Sequence, residues 1–326
     1  MHAIRQHAFG PAERLEYTEV PDPVPGAGQV RIAVDAAGVH LLDTMIRRGA
    51  GGGPFPLPDL PMTPGREVAG RVDAAGPEVD AGWIGRRVVA HLGMASGGYA
   101  SAAVAPVAAL HEIPGDLSAA AAVAMIGTGR TAVGILDLAK LTPSDAAVVT
   151  AAAGGLGGLL VQGARRAGAA VVGLAGGPGK VARVEALGVP AVDYRAAGWP
   201  DRARAALGGR PVTVLLDGVA GEAARAIVDL LAPGGRIVNF GWSSGTPLDL
   251  DAATLEARGL VTVPVLGPAL TQRPGGLRSL ETEALAEAAA GRLVPLINPP
   301  FPLADAAAAH RALENRATYG KVVLVP

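Results

Sequence analysis

The stretch Ala146-Ala147-Val148-Val149-Thr150-Ala151-Ala152-Ala153-Gly154-Gly155-Leu156-Gly157-Gly158 decides the fold. An uncharged apolar run passes into a glycine turn and then into a helical segment over 156–166. Strand, glycine turn and helix in that order are the setting that a dinucleotide fingerprint requires. Read as G-x-G-x-x-G, the frame is Ala152, Gly154 and Gly157, with alanine at the first glycine position. Gly154 is expected to let the backbone approach a pyrophosphate, and Gly157 to let the helix pack closely on the strand. Together with Gly155 and Leu156 they make a candidate cofactor turn, in which the helix N-terminus offers free N–H groups and its dipole to phosphates. The competing reading is a plain Ala/Gly turn without a ligand, in a chain that has 46 glycines. The uncharged run over 146–164 also approaches the roughly 20 residues of a membrane-spanning helix, but Thr150, Gln162 and the clustered glycines favour a strand, a turn and a buried helix.

Outward from this stretch the alternation continues. Strands are expected at 147–150, 170–174, 190–193, 212–216 and 236–240, with helices at 156–166, 179–187, 199–207 and 221–231 between them. Repeated βα units with uncharged, β-branched strands predict a doubly wound parallel sheet covered by helices on both faces. The first 115 or so residues instead read as short β runs punctuated by Pro and Gly, at 15–20, 30–36, 68–74, 87–91 and 99–104, an antiparallel or barrel-like piece. Helix is expected over 117–125, a further apolar strand at 260–266, helices at 277–290 and 303–313, and a last strand at 322–325. If that strand returns to the first piece, a β domain of 1–118, completed by 264–326, holds an α/β domain of 119–263 as an insertion.

Composition narrows the function. The 326 residues, half of them hydrophobic, suffice for two domains with real cores. Lys plus Arg (28) nearly balance Asp plus Glu (29), so no strong field recruits nucleic acid or an anionic membrane. A small-molecule partner fits better. The absence of cysteine removes disulfides, thiolate nucleophiles and every cysteine-containing zinc site. The N-terminus lacks the apolar core of a signal peptide, so a soluble, cytoplasmic protein is expected.

The second expected strand ends in Ala175-Gly176-Gly177 with no acidic residue, and Lys180 follows. An enzyme using NAD usually places an acid there for the ribose 2′-hydroxyl, so its absence beside a cation favours the 2′-phosphate of NADPH. Ala151 to Gly157, followed by Gln162, Gly168, Lys180 and Val192-Asp193-Tyr194-Arg195, resembles the quinone oxidoreductase branch of the medium-chain dehydrogenase/reductase superfamily, the group that includes zeta-crystallin. The likeness extends through Pro64 to Gly70, Gly97-Gly98-Tyr99-Ala100, Ile113-Pro114, Leu215-Leu216-Asp217, Gly234-Gly235-Arg236, Phe240-Gly241 and Arg316-Ala317-Thr318. It implies a GroES-like β domain carrying an inserted Rossmann domain, with the substrate in a cleft between them. It also implies that Gly176, Lys180, Tyr194 and Arg316 hold the 2′-phosphate and that Phe240 and Gly241 line the coenzyme. The plainer readings are a solvated lysine, a packing tyrosine and a surface arginine.

Zinc alcohol dehydrogenases of the superfamily carry Gly-His-Glu and cysteine ligands, whereas this chain has Gly65-Arg66-Glu67 and no cysteine. Without a Lewis acid, the favoured acceptor is one whose hydride adduct is stabilised by conjugation, a quinone or an α,β-unsaturated carbonyl. The family signature Gly-x-Asn-x-x-Asp appears as Gly38-Val39-His40-Leu41-Leu42-Asp43, with histidine for asparagine. The resemblance places His40 beside the nicotinamide, where it would hydrogen-bond or protonate a substrate oxygen; a histidine bonding locally at a loop end is the alternative. Asp43 is a candidate pocket residue or the cap of a helix over 44–48. Thr131 matches a family threonine near the nicotinamide, or bonds its own helix backbone. Trp242 narrows the pocket or packs the domain hinge. Relatives often place an aromatic residue after the first helix to stack on a quinone, where this chain has Gly49 to Phe55. The resemblance further implies a homodimer through the open sheet edge near 260–266. Two rival functions stand beside quinone or enone reduction: an enoyl reductase of a polyketide-like biosynthetic pathway, and a non-catalytic, crystallin-like NADPH-binding protein.

Overall fold

The computed structural model describes residues 1–50, 57–93, 96–265 and 267–326. The chain divides into two compact units, one of residues 1–128, 284–291 and 297–326 and the other of residues 129–283 and 292–296.

The first unit begins with an antiparallel pair, β1 (His2–Arg5) and β2 (Glu16–Glu19). Then come β3 (Gln29–Val39), α1 (Leu41–Arg48), β4 (Glu67–Ala75), β5 (Arg87–His91), β6 (Ala102–Pro106), β7 (Leu110–Glu112) and α2 (Ala119–Ala124). In β3, Val30, Ile32, Val34 and Ala36 point into the core, while the residues between them lie closer to solvent until the strand becomes buried throughout. That period of two is what a half-buried pleated strand imposes. Helix α2 packs on β3 and β4, so the division falls at 128/129 rather than at 118/119.

The second unit contains α3 (Arg130–Ala139), β8 (Ala146–Val149), α4 (Gly155–Arg166), β9 (Ala170–Ala175), α5 (Pro178–Glu185), β10 (Ala191–Asp193) and α6 (Trp199–Ala206). It continues with β11 (Val212–Asp217), α7 (Gly221–Leu230), β12 (Leu231–Asn239), α8 (Ala252–Ala257), β13 (Val261–Thr262), α9 (Pro268–Thr271) and the first part of α10 (Gly276–Ala289), whose residues from 284 on count with the first unit. The six strands pair in parallel in the order β10-β9-β8-β11-β12-β13, so chain order reverses between β8 and β11. This is the doubly wound fold expected from the sequence, a fold in which ligands bind outside the C-terminal strand ends at such a reversal. Val148, Val172, Leu174, Leu215, Ile227 and Ile237 form its core.

The chain ends in the first unit with β14 (Phe301–Pro302), α11 (Ala306–Glu314) and β15 (Val322–Val325). Strand β15 pairs with β3, giving the order β14-β15-β3-β4-β5-β7, with β6 also on β3. The last strand therefore does return to the β unit.

Four expectations change. The strand expected at 99–104 lies at Ala102–Pro106; the Tyr99 N–H is taken instead by the carbonyl of Pro64, distant in sequence. The strand expected at 260–266 contracts to Val261–Thr262, where Pro264 offers no ladder donor; Leu266 lies outside the described residues. Helix α1 starts at Leu41, not Thr44, so Asp43 is its third residue and His40 its cap. The run Ala119–Ala139, two α-helices joined by a π-helical turn at Met125–Gly129, is long and apolar enough to cross a membrane, but it is mostly buried inside the protein, as in a core helix. The 146–164 stretch is the strand, turn and helix anticipated for it.

Candidate active site and coenzyme turn

In the first unit, β3 delivers Gly38 and Val39 to the start of α1, where His40 takes the cap position. The His40 N–H donates to Asp43 Oδ2 at 2.8 Å. Its ring also meets residues distant in sequence. Nε2 lies 2.7 Å from Glu67 Oε1, a close ion-pair contact that is not aligned as a linear hydrogen bond, and 2.9 Å from Lys321 Nζ. Lys321 Nζ donates to Glu67 Oε2 at 2.6 Å. Glu67 is fully buried and Lys321 nearly so, while the His40 side chain keeps 27% of its surface. The His40 ring is thus in contact with residues distant in sequence.

Burial alone would push the Glu67 carboxyl up, but the charges of His40 and Lys321 outweigh it and hold the group below the ordinary carboxylate range. Glycines make room for this carboxylate. A Cβ on Gly38 would lie 2.2 Å from Glu67 Oε2, and one on Gly127, in the π-helical turn, 1.7 Å from Oε1. Such π turns occur frequently at functional sites.

A second buried chain of polar groups leads away from this cluster. Tyr99 donates to Asp43 Oδ2 at 2.9 Å, and its hydroxyl lies 3.1 Å from His310 Nε2. His310 Nδ1 faces Arg47, which pairs with Glu314. Burial raises the Tyr99 phenol, with the Asp43 charge adding to it, and burial lowers His310 to about 4. The Asp43 carboxylate is committed to the His40 N–H and to Tyr99, and Arg66 lies 3.8 Å from it.

In the second unit, the turn after β8 is sharp. Ala151 takes a left-handed conformation (φ 47°), so the strained residue is the one before Ala152, the position assigned to the first fingerprint glycine. Gly154 precedes α4, and no side chain caps that helix; its first-turn N–H groups at Gly155, Leu156 and Gly157 have no intrahelical partners. A Cβ on Gly157 would lie 2.3 Å from the Ala151 carbonyl oxygen, which is the close helix approach expected of it.

At the end of β9, a Cβ on Gly176 would sit 3.0 Å from the Tyr194 hydroxyl, and one on Gly177 1.9 Å from Arg195 Nη2. Gly176, Tyr194 and Arg195 are thus together, with Lys180 in the first turns of α5. Asp193 accepts from the N–H groups of Arg195 and Gly177, which hold its carboxyl below the usual range. At the ends of β11 and β12, Asp217 accepts from Thr150 Oγ1 at 2.7 Å, from Asn239 Nδ2 at 2.7 Å and from the N–H groups of Val219 and Ala220. The Phe240 ring lies against Gly218, as does Gly241. The residues singled out for the coenzyme in this unit therefore follow the C-terminal ends of β8, β9, β10 and β12. Thr131 stands near the start of α3, and Trp242 follows Gly241 with about half its surface exposed.

His40, Asp43 and Arg316 belong to the first unit; the other singled-out residues belong to the second. Arg316 has a left-handed backbone (φ 54°) just after α11. Gly51 to Phe55, most of the stretch considered for a stacking aromatic, lies outside the described residues. Reading by sequence missed Glu67, Lys321 and Arg195 as site residues. The signal available for the first two was an acid and a base, each directly before an apolar run, at Glu67-Val68-Ala69 and Lys321-Val322-Val323.

Comparison with known proteins agrees with this architecture. Residues 26–115 match the alcohol dehydrogenase GroES-like domain family, and residues 187–324 match the family described as zinc-binding dehydrogenase. The chain is 31% identical to a quinone oxidoreductase of Pseudomonas aeruginosa, over 99% of both chains. It is also 31% identical to a 2-haloacrylate reductase of a Burkholderia species, over 98% of this chain and 97% of the other. Among solved structures it resembles one titled NAD-dependent alcohol dehydrogenase (TM-score 0.88, 31% identity, all of both chains). It also resembles the Escherichia coli quinone oxidoreductase complexed with NADPH (TM-score 0.87, 28% identity, all of both chains).

Proposed function

The chain belongs to the medium-chain dehydrogenase/reductase superfamily, in its quinone oxidoreductase branch, and on that premise we propose that it is a zinc-independent, NADPH-dependent oxidoreductase that reduces a quinone or an α,β-unsaturated carbonyl. The observation that carries this reading is the end-to-end likeness to a quinone oxidoreductase; the local chemistry gives it content.

The residues present fit the coenzyme. The uncapped α4, the glycine forced by close approach at Gly157, and the group of Gly176, Tyr194, Lys180 and Arg195 at the end of β9 suit a diphosphate and a ribose phosphate respectively. Arg316 is assigned to the same phosphate by family likeness. When bound, NADPH supplies the hydride. The backbone of Gly154 to Gly157 holds the diphosphate, Phe240 and Gly241 wall the coenzyme, and Thr131 and Trp242 shape the substrate side. His40 holds a proton for the substrate oxygen, and Asp43 with Tyr99 fixes the start of α1 that carries it.

A catalytic zinc does not suit these residues. Arg66 stands where zinc relatives have histidine, the chain has no cysteine, and the Glu67 carboxylate is taken by Lys321. With no Lewis acid to polarise a simple ketone, conjugation in the acceptor has to stabilise the charge left by hydride addition, and the protein supplies orientation, exclusion of water and one or two hydrogen bonds. A homodimer through the β13 edge and a cytoplasmic location complete the proposal. The test is exhaustive chelation followed by NADPH oxidation with a quinone and an enone. Unchanged rates support the reading; activity lost with a stoichiometric zinc and restored by its return overturns it.

A further inference from the structure

Where strand order reverses in the parallel sheet, three polar side chains stand in one row. Val149 of β8 pairs with Leu216 of β11, so Thr150 comes beside Asp217, and Asp217 pairs in register with Asn239 of β12. Asp217, in the middle, is fully buried. Its Oδ1 accepts from Thr150 Oγ1 at 2.7 Å and from the N–H groups of Val219 at 3.0 Å and Ala220 at 3.2 Å. Its Oδ2 accepts from the Ala220 N–H at 3.0 Å and from Asn239 Nδ2 at 2.7 Å.

The hydrogens of the two flanking side chains have fixed places. The Thr150 hydroxyl gives its proton to Asp217 and accepts the Gly218 N–H at 3.0 Å. The Asn239 amide faces two acceptors, the Asp217 carboxylate and the Gly241 carbonyl at 3.0 Å, so its nitrogen is turned toward both. Each flank adjoins a segment assigned to the coenzyme. Thr150 precedes Ala151, whose left-handed backbone opens the turn that leads to Gly154 and Gly157. Asn239 precedes Phe240 and Gly241, and the Phe240 N–H donates to the Asp217 carbonyl at 2.8 Å.

We propose that Asp217 is a positioning residue for the coenzyme: it holds the diphosphate turn through Thr150 and the segment of Phe240 and Gly241 through Asn239, and so keeps the two at one spacing. This rests on the assignment of both segments to NADPH. A side chain that joins two parts of a binding site lowers the ordering cost that each would otherwise carry when the ligand arrives. Asparagine cannot replace it, despite its equal size. Whichever way its amide turned, the NH2 group would face other donors.

The test titrates the full-length protein with NADPH by calorimetry, and denaturant unfolding of the coenzyme-free protein shows that each variant is folded under the titration conditions. Thr150→Val and Asn239→Leu each cut one tie with little change of volume. Each should weaken NADPH binding about tenfold, the equivalent of one hydrogen bond to a charged group. Thr150→Ser, which keeps the hydroxyl, should bind NADPH close to the native affinity. Because both ties run to one carboxylate, the double variant should lose about thirtyfold rather than the roughly hundredfold product of the single losses. Asp217→Asn should match the double variant; should it fail to fold, the cycle of Thr150 and Asn239 decides alone. Native affinity in Thr150→Val or Asn239→Leu, full multiplication of their losses, or Thr150→Ser as weak as Thr150→Val would each overturn the proposal. Gly157→Ala separates it from the reading beneath it. If that variant binds NADPH weakly while the Thr150 and Asn239 variants keep native affinity, the coenzyme turn stands and the positioning role falls. A native protein that binds no NADPH overturns both.

Discussion

At the end of β9 the discriminating residues are few: Gly176 against the Tyr194 hydroxyl, Lys180 on α5 and Arg195 over Gly177. A phosphate held here gains charge-assisted hydrogen bonds, and losing one costs about 1.5–3 kcal/mol. Lys180→Ala should therefore weaken NADPH binding by roughly that amount and leave NADH nearly unchanged, measured by calorimetric titration. Equal affinity of the native protein for the two coenzymes would contradict the assignment. Glu67 gives a second prediction. Because a Cβ at Gly127 would lie 1.7 Å from Glu67 Oε1, Gly127→Ala must displace a carboxylate that has nowhere to go. Breaking a buried pair typically costs about 3–5 kcal/mol, so denaturant unfolding should show a loss of that order. A loss well under 1 kcal/mol would show that the carboxylate can move. These partnerships were not legible beforehand, since Lys321 and Glu67 are 254 residues apart in sequence and meet only because β15 returns beside β3.

Between β8 and α4 the turn carries its cost in the backbone. Ala151 at φ 47° holds a conformation that penalises a Cβ by roughly 1–2 kcal/mol. Ala151→Gly should raise thermal stability by about that much, less the entropy that glycine adds to the unfolded chain. Gly157→Ala should do the opposite, because its Cβ would meet the Ala151 carbonyl oxygen at 2.3 Å; a loss of about 1–3 kcal/mol is expected for such overpacking, together with weaker coenzyme binding. Thermal unfolding and titration of both variants check the pair, and a neutral Gly157→Ala would mean that the helix does not rely on this approach. The βα units were legible to within a few residues because their strands are uncharged and their helices begin after glycine, as at Gly155–Arg166 and Gly221–Leu230. The β unit was less so. The displacement of the 99–104 strand goes with a long-range backbone bond from Tyr99 to Pro64, and β1 and β7, of four and three residues, are too short to show a period.

For the molecule as a whole, the architecture was legible in the sequence while the electrostatics of its interior were not. His310 shows why: nothing in the alanine-rich stretch around it announces that it is fully buried against Tyr99 and Arg47. Burial lowers its folded value to about 4, from an ordinary value of 6.5. Below pH 6.5 the unfolded chain takes up a proton that the folded protein refuses, so stability falls as pH drops from 6.5 to 4, by about 3 kcal/mol in all, and is unaffected by this group above 6.5. His310→Gln should flatten that part of the pH–stability curve relative to the native protein; parallel curves would contradict it. The account as a whole turns on the reaction. The most direct test follows NADPH absorbance with matched pairs of acceptors, an α,β-unsaturated ketone and a quinone against the corresponding saturated ketone, with analysis of the product to locate the transferred hydrogen. Rapid oxidation with the conjugated acceptors, hydrogen delivered to the β-carbon of the enone, and little or no turnover of the saturated ketone are predicted. Faster conversion of the saturated ketone to its alcohol would contradict it.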